Sequence, residues 1–166
     1  MSSSIPNILA ERYASEDMVN LWSAHGKIIL EREFWIAVMR AQRELGLPIE
    51  ESEIEASEKA KASVDLESIR KREQVTKHDV KARLEEFAQL SGHQHAHKGM
   101  TSRDLTENVE QLQIHRSLGI VLEKAIACLF TLSLKAEEFK SVALTARSHN
   151  VPAQLTTLGK RMANWG

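Results

Sequence analysis

The sequence predicts an all-α protein, and three observations lead there. Helix formers (Ala, Leu, Glu, Lys, Arg, Gln) dominate, while only seven glycines and three prolines punctuate 166 residues. Apolar residues recur in steps of three and four, and no stretch alternates apolar and polar for long, so strands are not expected. One helical pattern, from about Ser102 to Lys140, is far longer than the rest. The expected layout is an N-terminal helical domain over residues 1–101. Residues 102–166 then begin a central bundle of long helices, left incomplete.

Ser15, followed by Glu16 and Asp17, has the form of a helix N-cap with acids in the first turn. Leu30, Phe34, Val38, Ala41 and Leu45 mark one face of the next helix, which Gly46 and Pro48 end. A short acidic helix is expected over 50–62. Another begins after Thr76, with Val80, Leu84, Phe87 and Leu90 as its buried side, and stops at Ser91-Gly92. In the long helix, Leu118, Leu122, Ala125, Leu129, Leu132, Ala136 and Phe139 form a heptad seam. Ile114, Val121, Ile126 and Phe130 lie off it. A helix of about 38 residues spans roughly 57 Å and is apolar on more than one face, so it needs several neighbours. An oligomer, missing sequence, or both would supply them. A last helix is expected from near Pro152, still running at Trp165-Gly166, which suggests a truncated chain.

Apolar residues at 42% and charged residues at 27% indicate a globular rather than a disordered chain. A net charge of −1 offers no footprint for nucleic acid or an anionic membrane. No run approaches the roughly 20 apolar residues expected of a membrane span. The first six residues resemble neither a secretory signal nor a transit peptide. Cys128, the single cysteine, excludes an internal disulfide and is expected to be a small buried hydrophobe, consistent with a reducing cytoplasm.

Three segments place a histidine or hydroxyl at an expected helix start, where free N–H groups and the dipole favour anions. In Thr76-Lys77-His78-Asp79, Thr76 and Asp79 have capping-box spacing and His78 falls in the first turn. Gly99-Met100-Thr101-Ser102-Arg103-Asp104 repeats that spacing, so that one hydroxyl caps while the other is free for a carboxylate or phosphate. Ser148-His149-Asn150 precedes Pro152, and a loop histidine there suits a general acid. Each segment alone also fits a plain capped or solvated helix start. His93, His95 and His97 would share one side of a strand, as in a metal site. The helical surroundings and the lack of an adjacent carboxylate or thiolate argue against that. Arg12-Tyr13 alone says little, although arginine suits phosphate or carboxylate.

Taken together, these segments resemble adenylosuccinate lyases, within the wider fumarase/aspartase family. The likeness rests on Arg12-Tyr13-Ala14-Ser15, Thr76-Lys77-His78-Asp79-Val80, Gly99-Met100-Thr101-Ser102, Ser148-His149, and the run from Ala153 to Arg161, in order and over essentially the whole chain. The resemblance implies a homotetramer around long helices, with active sites shared between subunits. It implies elimination of fumarate from a small nucleotide substrate, with no cofactor and no metal. His149 would be the general acid and His78 would bind and orient the substrate. Arg12 and Tyr13 would hold the nucleotide, with Lys77 and Asp79 beside His78. Thr101 and Ser102 would grip a succinyl carboxylate, and Ser148 and Gln154 would stand near the acid. Two departures are Ser148, where Thr is common, and Val151, where Gln is common. The family's base is a serine in an S-S-x-M-P-x-K-x-N loop, and that string is absent from these residues. The 166 residues alone are therefore expected to be inactive. Three other readings stand beside this one: a sibling fumarate-releasing lyase, a non-catalytic helical assembly module, and a metal-binding bundle.

Overall fold

A computed structural model describes residues 7–166. The reading of residues 1–6 as no leader lies outside the described residues. The chain divides into two compact units, Met1–Ser117 and Leu118–Gly166, with the division inside the long helix.

The first unit holds α1 (Ile8–Tyr13), α2 (Glu16–Trp22), α3 (Ala24–Glu44), α4 (Glu51–Ala60), α5 (Leu66–Thr76), α6 (Asp79–Ser91) and the start of α7 (Ser102–Glu138). Its core is built on α3. Trp35 is fully buried and stacks on Phe87 of α6 at 5.8 Å between ring centroids. Ile36, Met39, Ile54, Val80, Leu105 and Val109 are also buried. The buried residues of α3 include Ile28, Leu30, Arg32, Trp35, Ile36 and Met39, so of the expected face only Leu30 is buried. Phe34 and Val38 are half-buried, and Ala41 and Leu45 are exposed. The pattern misled because the true stripe contains a charge. Arg32 is sealed in the core against Glu86, and its Nη1 donates to the carbonyls of Ala60 and Lys61 at 2.9 Å each. The other Glu86 oxygen accepts the Asp65 N–H at 2.9 Å. One ion pair therefore ties α3, the α4–α5 connection and α6 together. On α6, Val80 and Phe87 are buried as expected, but Leu90 is exposed and Leu84 only half-buried.

Ser15 does flank α2, yet its side chain makes no capping hydrogen bond. Helix α5 had no counterpart in the sequence reading. Its periodicity is weak because Ile69 is its one buried residue. Asp65 starts it, accepting the Glu67 and Ser68 N–H groups at 3.0 Å.

The second unit holds the rest of α7, β1 (Ala143–Ser148), β2 (Val151–Thr157) and α8 (Leu158–Ala163). The expected absence of strands is therefore wrong here, and so is a helix from Pro152. The antiparallel pair runs from Ala143↔Thr157 to Ser148↔Val151, with a bulge near Ala146 and Arg147. Thr145, Val151, Thr156 and Thr157 favour extended backbone, and Pro152 is tolerated because both strands are edges. Thr157, not a residue near Pro152, caps the last helix, accepting the Lys160 N–H at 3.2 Å. Gly159 is required: a Cβ there would stand 2.3 Å from the Ala136 carbonyl oxygen.

Two further expectations fail on α7. Cys128 is exposed, not buried. The 18 residues between Arg116 and Lys135 have mean hydropathy 1.7, so this one helix is long and apolar enough to cross a membrane by length and composition.

Candidate active site

The corner between α5 and α6 is built by Lys77, which adopts left-handed backbone (φ 53°) as the C-cap of α5. The chain then returns to extended geometry at His78, and His78 itself caps α6. Its Nδ1 accepts the Lys81 N–H at 3.3 Å. The sequence pattern assigned this role to Thr76, with His78 inside the first turn. Instead the Thr76 hydroxyl donates to the His78 carbonyl at 3.1 Å and accepts its N–H at 3.4 Å, closing the corner. The left-handed turn at Lys77 shifts the helix start by two residues, so a ring nitrogen arrives where a hydroxyl was expected.

That cap fixes a tautomer. A nitrogen that accepts an N–H bears no proton, so the neutral His78 ring carries its proton on Nε2. Nε2 lies 3.4 Å from Ser102 Oγ, at the first residue of α7. The two hydroxyls at that helix start divide the work. Thr101 Oγ1 accepts the Asp104 N–H at 3.4 Å, and the Thr101 N–H donates to Asp104 Oδ2 at 2.6 Å, a reciprocal box with Asp in place of Glu. Ser102 is left facing the histidine. Gly99 enters this turn with φ 73°, which a side chain would strain.

Asp79 stands beside His78, with Oδ1 3.6 Å from Nδ1. Its Oδ2 lies 3.0 Å from Arg83 Nη2. Partial burial pushes the Asp79 carboxyl up, but the Val80 N–H and the Arg83 guanidinium outweigh it and hold it below its usual range. Lys77 is exposed and makes no ion pair among the described residues.

His97 belongs to the same cluster and was not singled out for it by the sequence. It sits at φ 68°, and its Nδ1 accepts the Trp35 indole N–H at 3.0 Å. Burial pushes its pKa down, Asp104 opposes this, and His78 adds to it. The available signal was its place four residues before Thr101, which the alternation with His93 and His95 hid. Those two turn elsewhere: His93 Nδ1 and His95 Nε2 lie 3.2 and 3.3 Å from the two oxygens of Glu53. The three imidazoles therefore do not share one side. Among the described residues no group of three or more His, Cys, Asp or Glu side chains is placed to hold a metal ion.

Arg12 and Tyr13 end α1, and both are exposed. Among the described residues no hydrogen bond or ion pair joins them to His78 or Ser102. In the second unit, Ser148-His149-Asn150 is not at a helix start. Ser148 ends β1, and His149 (φ 50°) and Asn150 (φ 63°) form a two-residue hairpin turn with both central residues left-handed. Arg147 Nη1 donates to the Asn150 carbonyl at 2.8 Å and braces the turn. Gln154 lies on β2 opposite Ala146. His149 is thus displayed on a hairpin tip, exposed, with no hydrogen-bond partner among the described residues.

Helices whose starts gather an imidazole, a hydroxyl and a carboxylate make a scaffold suited to a small polar ligand. The sequence matches the family model described as Lyase over residues 12–166, and the chain belongs to that family. It is 36% identical to adenylosuccinate lyase of Schistosoma mansoni over 162 residues, 96% of this chain and 34% of that enzyme. It is 33% identical to adenylosuccinate lyase of Methanocaldococcus jannaschii, covering 93% and 34%. For the Saccharomyces cerevisiae adenylosuccinate lyase the identity is 30%, covering 95% and 34%. The chain thus spans about a third of the length of the curated relatives it matches.

Among solved structures, β-carboxy-cis,cis-muconate cycloisomerase from Acinetobacter calcoaceticus superposes with TM-score 0.77 at 20% identity, over 96% of this chain and 39% of that one. A fumarate lyase from Mesorhizobium sp. BNC1 gives TM-score 0.74 at 23% identity, over 91% and 36%. At these identities the likeness speaks for the fold alone.

Proposed function

We propose that these residues belong to an adenylosuccinate lyase of purine nucleotide biosynthesis. The enzyme would eliminate fumarate from adenylosuccinate to give AMP, and from the succinylated carboxamide ribotide SAICAR to give AICAR. The observation that carries this is the His78 Nε2–Ser102 Oγ pair at 3.4 Å, at two helix starts, in a chain 30–36% identical to enzymes of that name.

The elimination removes a proton next to a carboxylate, leaving a carbanion whose charge needs stabilising, and protonates the departing nitrogen. His149, exposed on its hairpin, is the general acid. His78 offers Nε2–H to the substrate while its Nδ1 is held by the α6 backbone. Ser102, with Thr101 behind it as cap, binds a succinyl carboxylate. Arg12 and Tyr13 hold the nucleotide, Lys77 and Asp79 flank His78, and Ser148 and Gln154 lie near the acid. No cofactor or metal enters the reaction. The base belongs to a loop outside these residues.

The protein is cytoplasmic and assembles as a homotetramer, with active sites shared between copies. Exposed apolar residues along α7 support an assembly, since a lone copy leaves Leu118, Leu122, Ile126 and Phe130 each more than half exposed.

The test is turnover by the full-length protein, followed by purine absorbance, with argininosuccinate as the competing substrate. Adenylosuccinate should react and argininosuccinate should not. His149→Gln should lower kcat by about 10²- to 10⁴-fold, the range of a lost acid catalyst. The 166 residues alone should show no turnover, and clear turnover by them would refute the placement of the base.

A further inference from the structure

We infer that Glu31, on the buried face of α3, is a positioning residue for His78, acting through Arg83 and Asp79; the inference rests on the lyase reading above. Glu31 is fully buried. Arg83 Nε lies 2.6 Å from Glu31 Oε2, yet neither carboxylate oxygen receives an aligned N–H. A buried carboxylate so incompletely satisfied is costly to the fold. Its one close partner is a guanidinium whose other arm, Nη2, holds Asp79. Asp79 in turn presents Oδ1 to His78 Nδ1. The string Glu31–Arg83–Asp79–His78 therefore runs from the core to the imidazole whose Nε2 faces Ser102.

The geometry gives the string a task. With the ring neutral, His78 Nδ1 accepts from the Lys81 backbone. Once the ring is protonated, Nδ1 becomes a donor, and Asp79 is the acceptor waiting beside it. An anionic substrate at Nε2 favours the protonated ring, and Asp79 stabilises it from behind. Arg83 alone would neutralise Asp79, whereas Arg83 divided between two carboxylates leaves a net negative charge beside His78. Burial pushes Glu31 up in pKa, and Arg83 and Lys27 oppose that without outweighing it. The titratable groups around the string are Lys27 on α3, Asp79 and Arg83 on α6, and His97 before α7.

The experiment uses the full-length protein and the variants Glu31→Gln and Arg83→Lys. The second keeps the positive charge but cannot fork between two carboxylates. Two readouts are taken: the pH profile of kcat/KM on adenylosuccinate, and the titration of the His78 ring by NMR with and without fumarate as the anionic probe. Both variants should lose about 10- to 100-fold in kcat/KM, mostly through KM, with circular dichroism unchanged. The His78 ring signals should respond less to fumarate. If Glu31→Gln does not fold, Arg83→Lys decides by the same measures. Folded variants with wild-type KM, pH profile and His78 titration overturn the inference. A wild-type protein inert on adenylosuccinate overturns the lyase reading instead, and the His78 titration then still judges the Glu31 string by itself.

Discussion

The Trp35–His97 hydrogen bond shows how one residue joins core to site. Trp35 is packed without exposure, and its indole N–H has one acceptor, His97 Nδ1 at 3.0 Å. Protonating that nitrogen would set two donors face to face. Burial already holds His97 below its ordinary value of 6.5. The unfolded chain therefore binds this proton more readily than the folded one between the two values. Its stabilising contribution is complete above pH 6.5 and is lost as pH falls through the lowered folded value. Denaturant unfolding at several pH values should show a loss on acidification that His97→Gln, an acceptor that does not titrate, partly abolishes. An equal pH dependence in both proteins would sink the assignment. The Arg32–Glu86 pair makes a second prediction at this scale. Burial pulls Arg32 down and Glu86 opposes it. Glu86→Ala strands a buried cation and should cost about 3–5 kcal/mol in denaturant unfolding, whereas a Met/Leu replacement of both residues should cost much less.

At the scale of elements, the hairpin carries the next prediction. Asn150 sits at φ 63°, where asparagine is tolerated and alanine is not. Asn150→Ala should destabilise the hairpin by about 1–2 kcal/mol and lower kcat without touching His149, because the turn displays that ring. Amide exchange of the β1–β2 pair should rise, and unchanged protection would contradict the turn assignment. The hairpin also marks where the sequence stopped being readable. Helices α3, α4, α6 and α7 were legible from caps and spacing. The strands were not, because six- and seven-residue segments next to strong helix formers show too little alternation to be seen. Helix α5 was hidden for a related reason, since a helix burying one isoleucine has almost no period. On α3 the element was right but of its expected face only Leu30 is buried, because the stripe that packs inward includes the charged Glu31 and Arg32, which an apolar pattern does not reveal. At the site, the Thr101–Asp104 spacing marked a real capping box, while the Thr76–Asp79 spacing put the start of α6 two residues early. That His78 is itself a cap depended on the left-handed turn at Lys77, and that His97 leans on Trp35 depended on a contact between residues 62 apart.

The whole molecule turns on α7. Leu118, Val121, Leu122, Ile126, Leu129, Phe130 and Leu134 are all more than half exposed, and either other helices, from further sequence or from other copies, or a bilayer would cover them. In a bilayer, Glu123 and Lys124 would lie within the apolar stretch. Two central charges cost about 5–7 kcal/mol on insertion scales, against about 3–5 kcal/mol gained by the nine large apolar residues. A helical bundle has no such cost, since a charged pair can turn to a water-filled seam or a partner while the apolar faces meet other helices. The balance favours a helical bundle over a bilayer, and the proposed assembly would supply part of it. Leu122, on the heptad seam, and Ile126, off it, then test two different faces. If copies meet there, Leu122→Glu and Ile126→Glu should each shift the sedimentation mass of the full-length protein below the wild-type value, with helicity retained in whatever remains folded. If both variants keep the wild-type mass, these faces are not where copies meet. If the wild-type protein partitions with lipid vesicles and not with the aqueous phase, the bilayer is the cover instead.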